Sequence, residues 1–258
     1  MNFEINPIWR EKLVRILNQF GLSKIVRRLS VKLSKQKKIQ KVNDQIMVDS
    51  LSPALNSIKL QIQSGISKSK GCALLISMDG LSNVVTQIPM IAGLVSSGLE
   101  PVVILSSMHN KEQIYLYSQI GIKRFAYWDE FGFSKDFKVP LNELSRCKTQ
   151  EDILKIKWSE ISVGKFAVST LMRRLRAGSI NPNSPYIMNH LRAILRRTID
   201  HSFSAKAILD KFKPETVIFI DRGYTPEGPM FEMCIKSGIN PITMNAAHRD
   251  NFHILKRY

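Results

Sequence analysis

Acidic residues are scarce in this 258-residue chain. The 21 Asp and Glu stand against 38 Lys and Arg, a net charge of +17. A field of that sign attracts nucleic acid, anionic lipid head groups or phosphorylated ligands. Cysteine is scarce too. Cys72, Cys147 and Cys234 are far apart, odd in number and without a CxxC pair. That argues against a disulfide framework and a zinc site, and suits a reducing cytoplasm. Long apolar runs are missing: the richest windows, Cys72–Met78 and Val84–Val95, fall short of the ~20 residues that span a bilayer. No signal-peptide pattern opens the chain, because Arg10 to Lys41 is charged throughout. The expectation is a soluble cytoplasmic protein, or one peripheral to the inner face of the plasma membrane.

Several catalytic signatures are also missing. There is no GxGxxG, since the first strand-to-helix turn offers only Gly80, and no lysine follows a glycine run. NAD-type oxidoreduction and P-loop phosphate hydrolysis are therefore disfavoured. Neither HExxH nor GxSxG occurs. His248 and His253 stand five apart and do not make a metal pair, so no metal and no bound cofactor is expected.

The rest of the chain carries a clear rhythm. Cys72–Met78 is a short continuous apolar run, as in a strand buried on both faces of a parallel sheet. Ser82–Ser97 follows at helical period and stops at Gly98. Strand-like runs then recur over 102–106, 124–128, 216–220 and 241–245, with helices predicted over Lys111–Ile120 and Gly228–Ser237. Strand, helix, glycine, strand is the pattern of a doubly wound α/β sheet. Residues 140–213 read as a helical insertion with one break at Asn181–Pro185. Ser64–Gly71 reads as a linker, which divides the chain into a basic helical segment, 1–70, and an α/β domain, 71–258.

The charge is concentrated. Met1–Lys41 holds eleven Lys and Arg against two Glu, with Trp9, Leu13, Ile16, Leu17 and Phe20 at helical spacing. Such a helix can lie in a membrane interface, pack on the domain with its lysines solvated, or bind RNA. A second cluster comprises Arg173, Arg174, Arg176, Arg192, Arg196 and Arg197.

Ligands of open parallel sheets collect at the carboxyl ends of the strands. The pattern puts Asp79 and Gly80 after the first strand, Ser106, Ser107 and His109 after the second, and Asp129 after the third. Asp221–Gly228 follows the fourth, and Asn245–Asp250 the fifth. Asp221–Gly228 is the most informative of these. Its two glycines and proline let backbone pass close to a ligand. Asp221, Arg222, Tyr224, Thr225 and Glu227 suit sugar hydroxyls or phosphate. The plainer alternative is a strand-to-helix turn, with Asp221 capping backbone amides and Glu227 in the first turn of the next helix.

Asp221–Glu232, His248–Asn251 and Leu255–Tyr258, together with Val163–Ala167 and Asn181–Ser184, resemble the N-terminal half of GT-B-type glycosyltransferases from bacterial surface-polysaccharide clusters. The resemblance covers about Gly71 to Tyr258. It implies a Rossmann-like acceptor-side domain that works with a second, donor-binding domain and generally without a bound metal. The chain stops where the first domain would end, so the expectation is an incomplete enzyme that meets its nucleotide-sugar through a missing or separate domain. The acceptor would be a carbohydrate or a lipid-linked glycan.

An inverting transfer needs a base for the acceptor hydroxyl. Asp79 matches that position by topology, Asp221 is second, and a retaining mechanism requires neither. Gly80, His109, Arg222, Tyr224, Thr225, Glu227, His248 and Arg249 are the candidate substrate contacts. Two other classes stay open: a non-catalytic basic module for RNA or another anionic partner, and a small-molecule enzyme with a different nucleotide cofactor. Nucleic acid is the weaker partner. RNA modules pair basic residues with exposed aromatics, whereas Tyr115, Tyr127 and Trp128 fall in or beside expected core elements.

Overall fold

The computed structural model describes residues 58–77, 81–132, 134–246 and 253–258. Met1–Lys41, Asp79, Gly80, His248 and Arg249 lie outside the described residues, as do all expectations that fall on them.

Five strands form a parallel sheet: β1 (Gly71–Ile76), β2 (Leu99–Leu105), β3 (Phe125–Tyr127), β4 (Thr216–Phe219) and β5 (Asn240–Ala246). A sixth, β6 (His253–Arg257), pairs antiparallel with β5. The order is β3-β2-β1-β4-β5-β6, the doubly wound arrangement of Rossmann-like domains. β1 pairs directly with β4, Leu74 opposite Val217. The chain reverses its winding there, which opens a crevice at the carboxyl ends of these two strands.

Both faces of the sheet are covered, so its central strands are apolar throughout. Leu74, Ile76, Val102, Ile104, Val217 and Phe219 join one buried cluster with the helices after β3. These are α3 (Lys138–Leu144), α4 (Gln150–Leu154), α5 (Val163–Leu175), α6 (Pro185–Phe212) and α7 (Glu227–Lys236). Ala73, Leu75, Val103 and Leu105 alternate to the other face and are as fully buried. There α1 (Leu81–Ser96), α2 (Lys111–Gln119) and the helical residues 58–66 close the layer. Gly98 and Gly121 follow α1 and α2 with φ of +80° and +95°, a conformation that side chains with a Cβ resist.

The insertion departs from its expected form. Residues 140–213 are not helical with one break but split into several helices. Thr149 caps α4 in a reciprocal box with Asp152. Ser159 and Glu160 take positive φ in a tight turn closed by a Trp158–Ile161 bridge. The long helix starts at Pro185, earlier than its apolar period, because Ser184 caps it and proline suits the first turn. The linker expected over Ser64–Gly71 is shorter, since residues 64–66 still belong to a helix and Gly71 opens β1. β6 was not expected at all. Tyr115 is exposed on α2 rather than in the core, while Trp128 is buried.

α6 is the element that shapes the site. Its 28 residues span about 42 Å, whereas the seven residues of β2 span about 23 Å. Its last turn feeds β4, so its C-terminal end lies at the amino edge of the sheet. Thr198 is level with the loop after β4, where its hydroxyl meets that of Thr225 at 2.8 Å. The first half of α6 adds about 20 Å of helix before that level, with Leu191, Ile194 and Leu195 buried in the core.

Candidate functional site

The loop after β4 is held by a dense set of hydrogen bonds. Asp221 Oδ1 accepts from the backbone N–H of Arg222 at 2.6 Å and of Gly223 at 2.9 Å. Its Oδ2 accepts from the Arg173 guanidinium at 3.0 Å. Arg173 also lies over the Tyr224 ring, 4.4 Å from its centroid. The Thr225 N–H donates to Thr170 Oγ1 at 3.0 Å. The loop is thus tied to both α5 and α6, and it enters α7 through a cis Thr225–Pro226 peptide.

Glu227 is buried at the start of α7. One of its oxygens accepts from the N–H groups of Ile220, at 3.0 Å, and Asp221, at 2.8 Å. Burial pushes its carboxyl up to about 7, against the pull of those two hydrogen bonds. Gly228 comes next, and a Cβ there would stand 2.4 Å from the Phe166 ring. These contacts are the ones expected of the plain strand-to-helix turn: Asp221 caps amides and Glu227 braces the first helical turn. They engage both oxygens of Asp221.

Arg222 is the open member of the loop, and Tyr224 is half-buried. Arg222 is exposed and lies over the Tyr258 ring, 4.7 Å from its centroid. Tyr258, just after β6, also meets Phe231 edge-on. Elsewhere on the carboxyl edge, His109 is exposed, and its backbone N–H donates to Ser107 Oγ at 3.3 Å. Ser107 donates in turn to Asp129 at 2.8 Å. The structure therefore gathers Asp221, Arg222, Tyr224, Thr225 and Glu227 in one loop after β4, with His109 on a separate loop after β2.

Two features escaped the sequence reading. The first is a buried polar network at the ends of β1 and β2. The Gln87 amide donates to the Ile76 carbonyl at 2.8 Å, and the Tyr117 hydroxyl meets both Ser77 and Gln87. Gln113 and Asn110 extend it to Ser106. Burial holds the Tyr117 phenol well above its ordinary range, so it stays protonated. The network fixes the chain at Ser77, two residues before Asp79. Gln87 lies within the apolar period of α1, and that mismatch was a usable signal.

The second is His201. It stands edge-on to the buried Trp128 and accepts from Arg197 Nε at 3.2 Å. Burial, then the Arg197 charge, pulls its pKa down to about 4. The imidazole is neutral at pH 7, as an acceptor must be.

Two cavities of about 420 and 460 Å3 open at the amino edge of the sheet, lined by Gln63, Glu100 and Lys123 and by Asp210, Lys213 and Ser237. They gather none of the candidate residues, and the carboxyl edge remains the chemically favoured one. Among the described residues no group of three or more His, Cys, Asp or Glu is placed to hold a metal ion. None of the described helices is long and apolar enough to cross a membrane. Set against known protein families, curated proteins and solved structures, the chain matches none.

Proposed function

We propose that this domain is the acceptor side of a glycosyltransferase that extends a surface polysaccharide or a lipid-linked glycan. The nucleotide-sugar is held by a separate donor-binding domain. The observation that supports this reading most is the loop after β4. It follows β4 beside the β1–β4 switch point, is anchored on two helices, and carries the exposed Arg222 and the half-buried Tyr224, whose ring has Arg173 over one face. A sugar needs such a mixture, with an aromatic ring for its C–H face and donors for its hydroxyls. Asp79 follows β1, directly beside β4 in the sheet, and is the proposed base. Asp221 is committed to loop geometry and to Arg173. The basic segment Met1–Lys41 keeps the protein at an anionic membrane surface, where a lipid-linked acceptor resides.

Titration of the full chain with a water-soluble, short-chain lipid diphosphate carrying one sugar tests the reading. Saturable binding is expected, and Tyr224→Ala should weaken it about tenfold, equivalent to ~1.4 kcal/mol. No binding, or binding indifferent to Tyr224→Ala, would sink the assignment. Tight salt-sensitive binding of generic RNA with no acceptor binding would favour the basic-module reading instead.

A further inference from the structure

The turn after β4 engages one arginine of α5, Arg173, and leaves others of α5 and α6 beside it. Arg173 is the last residue but two of α5, and Arg174 follows it. Arg197 is on α6, one residue before the Thr198 that touches Thr225. Thr225 also binds Thr170, one turn before Arg173 and Arg174. The Tyr224–Thr225 backbone therefore lies between the two helices, with these arginines around it at the carboxyl edge.

Three features separate this group from an ordinary solvated face. Arg173 is oriented, because Asp221 accepts from its guanidinium and Tyr224 lies beneath it. Arg197 is oriented as well, because its Nε is spent on His201, a neutral acceptor, which leaves the cation uncompensated. Among the described residues neither Arg174 nor Arg197 has a carboxylate within ion-pair distance, whereas Lys206, lower on α6, is paired with Asp210 at 2.6 Å. The Arg174 charge reaches Arg197 and, after desolvation, lowers its pKa. Arg173 is balanced by Asp221, but Arg174 and Arg197 are like charges held near each other without a carboxylate; that raises the energy of the empty site, and a bound dianion relieves it.

We propose that Arg173, Arg174 and Arg197 form a binding site for a diphosphate group, between the end of α5 and the middle of α6. Planar guanidiniums bind phosphoryl oxygens in pairs, so three of them suit two linked phosphates better than one. This deepens the acceptor reading by naming the group that the edge grips, and it rests on that reading only for the identity of the natural ligand. The diphosphate has two sources, a lipid carrier or a free or nucleoside diphosphate.

The test uses the full chain at about 0.15 M salt, where exposed charges farther apart than about 8 Å are largely screened. The probes are inorganic pyrophosphate, inorganic phosphate and a short-chain prenyl diphosphate, followed by calorimetry. Pyrophosphate is expected to bind at least tenfold more tightly than phosphate. Arg174→Ala and Arg197→Ala should each weaken it about tenfold. Lys206→Ala, which removes the same charge from the same helix, should leave it within about twofold. All three positions are exposed, and a thermal melt confirms that each variant is folded.

Prenyl diphosphate binding more tightly than pyrophosphate would support the site and assign it to a lipid carrier. Equal binding would support the site and assign it to a free or nucleoside diphosphate. Pyrophosphate affinity equal to that of phosphate, or equally weakened by Lys206→Ala, would overturn the proposal. Pyrophosphate binding that depends on the arginines, without binding of the sugar-bearing acceptor, leaves the site standing and removes the acceptor function. Acceptor binding without any pyrophosphate binding does the reverse.

Discussion

Two desolvated groups, the buried Glu227 and the half-buried His201, oppose each other in how stability follows pH. Glu227 has its folded pKa raised from 4.5 to about 7. Its favourable contribution is complete below pH 4.5, where the carboxyl is neutral in both states, and is lost as pH rises through 7. His201 has its folded pKa lowered from 6.5 to about 4. Its contribution is complete above pH 6.5 and is lost as pH falls through 4. Each shift corresponds to roughly 3 kcal/mol over its full window, and the windows overlap between about 4.5 and 6.5, where the two slopes cancel. Glu227→Gln keeps an acceptor for the Ile220 and Asp221 amides and removes the titration. Denaturant unfolding of that variant should show stability rising with pH across the overlap, more steeply than wild type. His201→Gln keeps an acceptor for Arg197 and should show the opposite, a fall between pH 4.5 and 7. Parallel pH profiles for wild type and both variants would contradict the assignment of these groups as buried and shifted.

At the scale of elements, close helix packing sets what a single methyl group does. Gly164 opens α5 where it meets α4, and a Cβ there would stand 1.9 Å from the Ile153 carbonyl oxygen, a backbone atom with no rotamer to escape into. Gly164→Ala should therefore cost roughly 3 kcal/mol or more by overpacking. Gly93 lies inside α1 with nothing within 4 Å of the same position. Gly93→Ala should raise stability by about 1 kcal/mol through helix propensity alone. Thermal melts of the two variants should move in opposite directions, and a neutral Gly164→Ala would mean that α4 and α5 are not packed this closely.

The same packing explains what the amino-acid order could show. β1, β2 and β4 are legible because strands buried on both faces must be apolar throughout, and Gly98 and Gly121 end the helices after β1 and β2. β6 is not. Ile254 and Leu255 are both exposed and their neighbours are basic, so no burial pattern marks a strand held mainly by the backbone of β5. The turn at Ser159–Glu160 was equally hidden, because neither residue is Gly, Asn or Pro. At the site, the loop residues were legible as a group. Their duties were not, since Asp221 takes its meaning from Arg173, forty-eight positions away, and Glu227 from amides that only the folded turn brings to it.

For the molecule as a whole, the decisive quantity is where its charge resides. Met1–Lys41 carries a net +9, and the other 217 residues share the remaining +8. Ala54–Tyr258 forms a compact unit by itself, so removing Met1–Lys41 takes away over half of the net charge while leaving the α/β unit intact. Basic residues near an anionic surface contribute about 1 kcal/mol each, and the attraction fades within a Debye length of roughly 8 Å at physiological salt. Only charges that reach the surface together count, which favours a dense segment over a domain whose lysines are scattered and in part ion-paired, as Lys206, Lys211 and Lys236 are. The full chain is therefore expected to co-sediment with vesicles rich in phosphatidylglycerol and to ignore neutral ones. Deletion of Met1–Lys41 should abolish sedimentation, with the far-ultraviolet dichroism of the α/β domain retained. Pyrophosphate binding should survive the same deletion, because Arg173, Arg174 and Arg197 all remain. Undiminished vesicle binding by the shortened chain would show that the membrane contact lies in the other 217 residues and overturn the assignment to Met1–Lys41.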